Sequence, residues 1–240
     1  MRTAERLDAR RDRGDHPLRR RCPRHGCVAV GIFPDPRTAP ADAPLAVGED
    51  FTPEVLLEAY AHGIFPWPDG RGEVYWWSPD PRAAFRVGSV RRSRSLRQRI
   101  RHGGFTVTRD EAFEAVMGAC ADRPGEGTWI TPSMQTAYAV LHEAGHAHSV
   151  EVWQDADLVG GLYGIVIGGV FTGESMFHRV SDASKVALVA LDDHLVTRGF
   201  TLIDAQLPTE HLLTMGAEIL PRSTFLDELD RVRAHPVHFD

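Results

Sequence analysis

From Trp153 to Phe177 the chain reads WQDADLVGGLYGIVIGGVFTGESMF, and this stretch admits few structures other than two adjacent β-strands. The apolar runs Leu158 to Ile167 and Val170 to Phe177 are joined by Gly168-Gly169, and strand-like runs separated by a glycine pair read as a hairpin. Glycine weakens a strand interior and is found where the backbone bulges, or where another backbone or a ligand approaches closely. The repetition of Gly160, Gly161 and Gly164 therefore points to a cleft wall. Glu174 follows Gly173 and precedes Ser175-Met176, and a carboxylate among such neighbours needs a partner or a role. On this stretch alone, an exposed strand face with Glu174 in water is the alternative.

Around the hairpin, strands alternate with helices, which indicates an α/β chain. Thr52-Pro53 opens a helix that Gly63 closes, and Ser93 or Ser95 opens one to His102. A helix is expected over Asp110 to Ala121, and Thr131 caps another that Gly145 closes. Ser181-Asp182 begins a helix to Arg198-Gly199, Thr209 a short one, and Ser223 the last. These are helix-capping signals. Phe105 to Thr108, Ser149 to Trp153, Thr201 to Asp204 and Ala217 to Leu220 read as strands. The segment GIFPWPDGRGEVYWWSPDPR packs Phe65, Trp67, Tyr75, Trp76 and Trp77 between Pro66, Pro68, Pro79 and Pro81, so it is expected to be a rigid loop without helix or central strand.

The net charge of -6 hides an uneven distribution: eight arginines and no acid lie from Arg82 to Arg101. A basic run beside clustered aromatics fits RNA, whose bases stack on rings while arginines hold phosphates; a solvated helix face is the plainer alternative. No apolar run approaches the ~18 residues of a membrane span, and the basic opening lacks the apolar segment of a secretory signal, so a cytoplasmic protein is expected. Residues 1–30, rich in Arg, Asp and Pro, are expected to form a disordered basic tail. Cys22, Cys27 and Cys120, an odd number with two in the polar opening segment, are read as free thiols, and zinc at Cys22, His25 and Cys27 is not expected without a second ligand pair. His142-Glu143-Ala144-Gly145-His146 matches the H-E-x-x-H zinc pattern, but Gly145 ends the helix that the pattern requires, so no metal is expected there.

In order and spacing, AYAHGIFPWP, WWSPDPR, GTWI, AHSVEVW, LVGGLYGI, FTGESMF, SDASKVAL and LIDAQ closely resemble the bacterial leucyl/phenylalanyl-tRNA protein transferases, from about Phe33 to Phe225. The resemblance implies an acetyltransferase-like (GNAT) α/β fold, a mixed sheet flanked by helices, with a smaller N-terminal α/β domain. The division is then a tail at 1–30, a small domain at 31–92 carrying the aromatic loop, and a catalytic domain at 93–240. It implies transfer of leucine or phenylalanine, with methionine as a further candidate, from aminoacyl-tRNA to the N-terminal Arg or Lys of acceptor proteins, marking them for degradation. Neither cofactor nor metal is implied, and a monomer is expected.

By the same resemblance Trp67 and Trp129 sandwich the terminal adenine. Leu162, Phe171, Met176, Leu188, Leu191, Leu195 and Ile203 line the aminoacyl side-chain pocket. Leucine at 191 and 195, where the enterobacterial pattern has aromatic rings, implies a roomier pocket that favours phenylalanine. Gln206 is the candidate for drawing a proton off the attacking amine, with Asp204 polarising its amide or the proton leaving by another route such as the ribose hydroxyl, and Glu174 anchors the acceptor's positive end. The alternation of a strand puts Asp204 and Gln206 on one face. Arg82, Arg91, Arg92, Arg94 and Arg97 are assigned to the tRNA backbone. An acetyl-CoA-dependent acetyltransferase would need a pyrophosphate loop that the sequence lacks at any strand-to-helix junction. A non-catalytic tRNA-binding protein would have no use for Glu174, Asp204 and Gln206 together.

Overall fold

In the computed structural model the described residues are 29–30, 32–48, 52–69, 73–123, 125 and 127–240. Nearly all of the expected tail, with Cys22 and Cys27, lies outside them. In chain order the elements are β1 (Ala29–Val30), β2 (Phe33–Pro34), β3 (Ala46–Gly48), α1 (Pro53–Ala61), β4 (Phe65–Pro68), β5 (Val74–Trp77) and β6 (Arg82–Arg86). Then come α2 (Arg94–His102), β7 (Phe105–Arg109), α3 (Phe113–Ala121), α4 (Pro132–Glu143), β8 (Ala147–Gln154), β9 (Asp157–Ile167) and β10 (Val170–His178). The chain closes with α5 (Ala183–Arg198), β11 (Leu202–Gln206), α6 (Glu210–Thr214), β12 (Glu218–Leu220) and α7 (Arg222–Val232).

The expected hairpin is β9 and β10, the antiparallel pair near the middle of a seven-stranded mixed sheet ordered β12-β6-β11-β10-β9-β8-β7. Only β10 and β11 pair in parallel within it, joined by the crossover helix α5. Side-chain alternation sorts the core. Phe85, Leu162, Phe171 and Ile203 point to the face covered by α5, while Ala84, Val170 and Leu202 point to the face covered by α7. Tyr163 and Ile165 of β9 pack on that second face against α1, α3, α4 and the N-terminal strands.

The caps at Thr52, Ser93, Thr131 and Thr209 form as expected, each side-chain oxygen accepting a backbone N–H three residues on. Helix α3 starts later than expected, because Asp110 has a left-handed backbone and gives its carboxylate to the Ser149 N–H and His148. Helix α7 starts at Arg222 after Pro221, which leaves Ser223 inside it.

The aromatic loop is instead a three-stranded antiparallel sheet, β3-β5-β4. Pro66 and Pro68 lie on its edge strand β4, where a missing N–H breaks no ladder, and Trp76 is buried in the core. The glycines of β9 also correct the sequence reading. A side chain at Gly160 would strike Ala183 at the start of α5, and one at Gly164 would strike Phe171 and the Thr172 carbonyl. They permit close packing, and it is Gly173 of β10 that lines the cleft.

Strand β6, read from sequence as part of the basic patch and of the small N-terminal domain, runs inside the large sheet between β11 and β12. Arg82 is therefore not a phosphate ligand: it is 1% exposed and bonds Asp204 through Nε and Nη2 at 2.8 and 2.6 Å. Its Nη1 donates to the Gly63 carbonyl at 3.1 Å, and the guanidinium stacks over Phe65 and Phe225. Removing one partner of such a pair strands a buried charge, which typically destabilises by about 3–5 kcal/mol. Arg82→Met is expected to lose stability on that scale in urea unfolding at pH 7, and a loss below about 1 kcal/mol, the worth of an exposed ion pair, would show that the pair is not a buried tie.

Candidate active site

The parallel pair β10–β11 holds regular register at Val170 with Leu202, Phe171 with Ile203 and Thr172 with Asp204. Beyond that point β10 bulges against β9 between Gly173 and Ser175, and β11 bulges against β6 between Asp204 and Gln206. A bulge bends its strand and ends regular pairing. The two strands part, and a cleft of about 360 Å³ opens between them. Glu174 of β10 and Gln206 of β11 both line it.

The β11 bulge breaks the alternation from which a shared face for Asp204 and Gln206 is expected, yet both residues line the cleft. Gln206 takes a left-handed backbone, φ 62°, and its N–H donates to Asp204 Oδ1 at 3.0 Å. Asp204 faces back to Arg82, with both carboxylate oxygens engaged. It is Glu174 that orients the Gln206 amide, accepting from Nε2 on Oε1 at 3.0 Å. On Oε2 Glu174 accepts from the Tyr138 hydroxyl at 3.0 Å, and that hydroxyl is in turn hydrogen-bonded to Tyr60. The Glu174 carboxyl is pushed up to about 7, first by burial and further by the charge of Asp204, against the hydrogen bonds of Tyr60, Tyr138 and Gln206. Burial holds Tyr60, Tyr138 and Tyr163 protonated, well above the ordinary phenol range, and raises the Cys120 thiol to about 12.

At the mouth Trp67 of β4 and Trp129, in the turn before the Thr131 cap, lie with ring centroids 5.7 Å apart and planes tilted by 33°. The cleft's apolar lining includes Leu162, Phe171, Met176, Leu188, Leu191 and Ile203. Leu195, expected among them, is fully buried one turn further along α5 and does not line the cleft. Phe85, Arg123, Thr209, His211 and Leu212 also line it and were missed. Arg123 left a signal, a lone cation shortly before Trp129, whereas Phe85 was hidden in an unrecognised strand.

On α2 and the segment before it, Arg91, Arg94, Arg97 and Arg101 are exposed and, among the described residues, have no acidic partner. Arg92 differs, being ion-paired with Asp193. The Arg91 N–H donates to the Met215 carbonyl just past α6, and His211 of α6 lines the cleft, so the basic surface adjoins the cleft across that short helix. His142 is turned away from any H-E-x-x-H arrangement: α4 stops at Glu143, Gly145 has φ 75°, and the His142 ring bonds the Ala147 carbonyl and stacks on Phe113. Asp110, His148 and Asp240 bring potential metal ligands within 4.8 Å of one another. Both ring nitrogens of His148 already lie on oxygens, of Asp110 and Gly145. No helix among the described residues is long and apolar enough to cross a membrane.

The sequence profile described as leucyl/phenylalanyl-tRNA protein transferase matches residues 84–230, and that of its N-terminal domain matches 49–80. A leucyl/phenylalanyl-tRNA--protein transferase of Chromohalobacter salexigens is 56% identical over 198 residues, 82% of this chain and 77% of the relative. One from Desulforapulum autotrophicum is 51% identical over 201 residues, 82% and 88% of the two chains. Among solved structures, a GCN5-related N-acetyltransferase from Kribbella flavida superposes with TM-score 0.39 at 14% identity, over 68% of this chain and 59% of that one, a likeness too partial to bear on function.

Proposed function

This chain belongs to the leucyl/phenylalanyl-tRNA protein transferase family, and we propose that its cleft moves leucine or phenylalanine, with methionine as a further substrate, from aminoacyl-tRNA to the N-terminal Arg or Lys of a protein. The product is an extended N-terminus that marks its bearer for degradation, and the reaction is assigned to a cytoplasmic monomer. The observation that carries this reading is the continuity of one cleft from a tryptophan pair, through an apolar pocket, to a buried carboxylate–amide pair. Aminoacyl-tRNA is already an activated ester, so the protein has to supply alignment and proton handling, for which no cofactor or metal is needed.

Trp67 and Trp129 hold the terminal adenine between them. A base sandwiched by two rings needs two stacking distances of ~3.5 Å, so the pair, at 5.7 Å, parts by about 1–2 Å as the base enters. The aminoacyl side chain then occupies the pocket of Leu162, Phe171, Met176, Leu188, Leu191 and Ile203, where flexible Met176 adapts to branched or flat groups. Gln206, its Nε2 committed to Glu174, presents Oε1 as the acceptor for an N–H of the incoming amine. Asp204 acts through the bulge, by fixing the Gln206 backbone.

Incubation with phenylalanyl-tRNA and a peptide beginning with Arg is expected to yield the extended peptide, and failure of the folded protein to make it would remove this assignment. The exposed arginines serve the tRNA backbone. Reversing Arg91, Arg94 and Arg97 to Glu is expected to weaken tRNA binding and to flatten its logarithmic salt dependence by about one per lost contact; an unchanged slope would return them to the status of a solvated helix face. Leu191→Phe fills the pocket and is expected to shift the leucine-to-phenylalanine transfer ratio towards leucine by about tenfold or more, the worth of a methylene-scale misfit. Leu195→Phe, outside the cleft, is expected to leave that ratio in place, and equal shifts from both substitutions would mean that neither residue sizes the pocket directly.

A further inference from the structure

Glu174 belongs to a buried chain that reaches out of the catalytic sheet into the N-terminal part of the fold. Tyr60 comes from α1, Tyr138 from α4, Glu174 from the β10 bulge and Gln206 from the β11 bulge. Tyr138 donates to Glu174 Oε2 at 3.0 Å, the Tyr60 and Tyr138 hydroxyls are hydrogen-bonded to each other, and the Tyr60 hydroxyl also supports the Glu174 carboxylate. With Gln206 Nε2 on Oε1, the donors on the carboxylate among the described residues are the neutral groups of Tyr60, Tyr138 and Gln206. An anchor for a long cationic side chain would be expected to lie open and free of such neighbours. A carboxylate held by neutral donors at the floor of a cleft is instead placed to receive a proton.

We infer that Glu174 takes the proton released by the acceptor amine, and that Tyr138 and Tyr60 are positioning residues that hold its carboxylate ready. The inference rests on the transfer reading above. An N-terminal amine, with an ordinary pKa of about 7.7–8.0, is mainly the ammonium at neutral pH. One of its protons passes to the Glu174 carboxylate, which becomes the carboxylic acid and leaves the nitrogen lone pair free. The nitrogen attacks the ester carbonyl carbon, the C–N bond forms, and the carbonyl electron pair moves onto oxygen. When that pair returns, the bond from carbon to the ribose oxygen breaks, and the departing oxygen takes the second proton from nitrogen. Glu174 then gives its proton to water. The sum is one amide, one ribose hydroxyl and one released proton for each ammonium and ester consumed.

The groups facing Glu174 are Tyr60 of α1, Tyr138 of α4, Tyr163 of β9, and Asp204 and Gln206 of β11. Arg82 stands behind Asp204, Cys120 and Arg123 act on Tyr163, and Arg123 and His211 also line the cleft. The carboxylate is the working form, so rate rises with pH as Glu174 ionises, near 7. Hydrogen bonds from the tyrosines favour that form. Removing one moves the ionisation, and with it the acid limb of the rate, to higher pH.

The test is the pH profile of single-turnover transfer from phenylalanyl-tRNA to one Arg peptide, the same amine serving every variant. Tyr138→Phe and Tyr60→Phe are each expected to move the acid limb upward by about one to two pH units, the worth of a hydrogen bond to a charged group. Glu174→Gln is expected to abolish that limb and to cut the rate by about 100-fold or more, with tRNA affinity retained. Infrared titration of the carboxyl band, absent in Glu174→Gln, reads the same shifts independently of turnover and serves if Tyr138→Phe folds poorly. A wild type that extends no peptide overturns the transfer reading. A wild type that does, with limb and carboxyl titration unmoved in Tyr60→Phe and in whichever Tyr138 variant folds, reduces the tyrosines to packing and overturns this inference. So does an acid limb that survives in Glu174→Gln.

Discussion

The buried pair of Arg82 and Asp204 is the interaction on which the rest of the site depends. Its guanidinium fork matches the carboxylate with two parallel hydrogen bonds, lies between the rings of Phe65 and Phe225, and uses a third donor on the carbonyl of Gly63, just past α1. One side chain therefore ties the N-terminal strands, the large sheet and α7 to a single point. Since neither charge has water to fall back on, geometry alone keeps the pair from being a burden. Asp204, so held, fixes the backbone N–H of Gln206 and thereby the bulge that turns this amide towards the cleft.

That bulge and its counterpart at Glu174 explain why a cleft exists at all. Parallel strands that stayed in register would close the space between β10 and β11 with a ladder, as they do up to Thr172 and Asp204. Two irregularities side by side end the ladder and expose backbone and side chains from both strands to one cavity. The same geometry buries Glu174, and burial is the leading reason why its carboxyl titrates near neutrality while Asp204, one strand away, is a fixed partner of Arg82. Two acids in one site are thus given different work by their surroundings.

The charge pattern follows a similar division. The arginine run is a single feature in sequence, yet folding separates it: Arg99 lies half-buried over the Phe105 ring, and the other seven fall into three parts. Arg82 is a core residue, Arg86 and Arg92 are tied to Glu228 and to Asp193, and Arg91, Arg94, Arg97 and Arg101 are exposed cations. Only the last group has the freedom to meet a polyanion. The acids that neutralise the others come from residues more than 100 positions away in the chain, which no local count of charge includes.

Much of the fold is legible in the chain because it is local. The β9–β10 hairpin follows from two apolar runs and a glycine pair, and the caps at Thr52, Ser93, Thr131 and Thr209 follow from side chains that bond their own helix starts. The family could be read from ordered motifs, and with it Trp67, Trp129, Glu174, Gln206 and much of the apolar lining, with Leu195 wrongly included and Phe85 missed. What the tertiary structure alone decided is where pairing fails and what faces what. Strand β6 looked like a basic segment because its arginines are counted before their partners are known, and the proline-rich aromatic segment looked like a loop because the tolerance of an edge strand depends on its neighbours. The bulge at Gln206 breaks the two-residue period from which a shared face was inferred. The link from Tyr60 through Tyr138 to Glu174 spans 114 positions of sequence; hydrogen bonds between side chains that distant have no period, cap or motif to announce them, and packing is what brings their atoms within 3 Å.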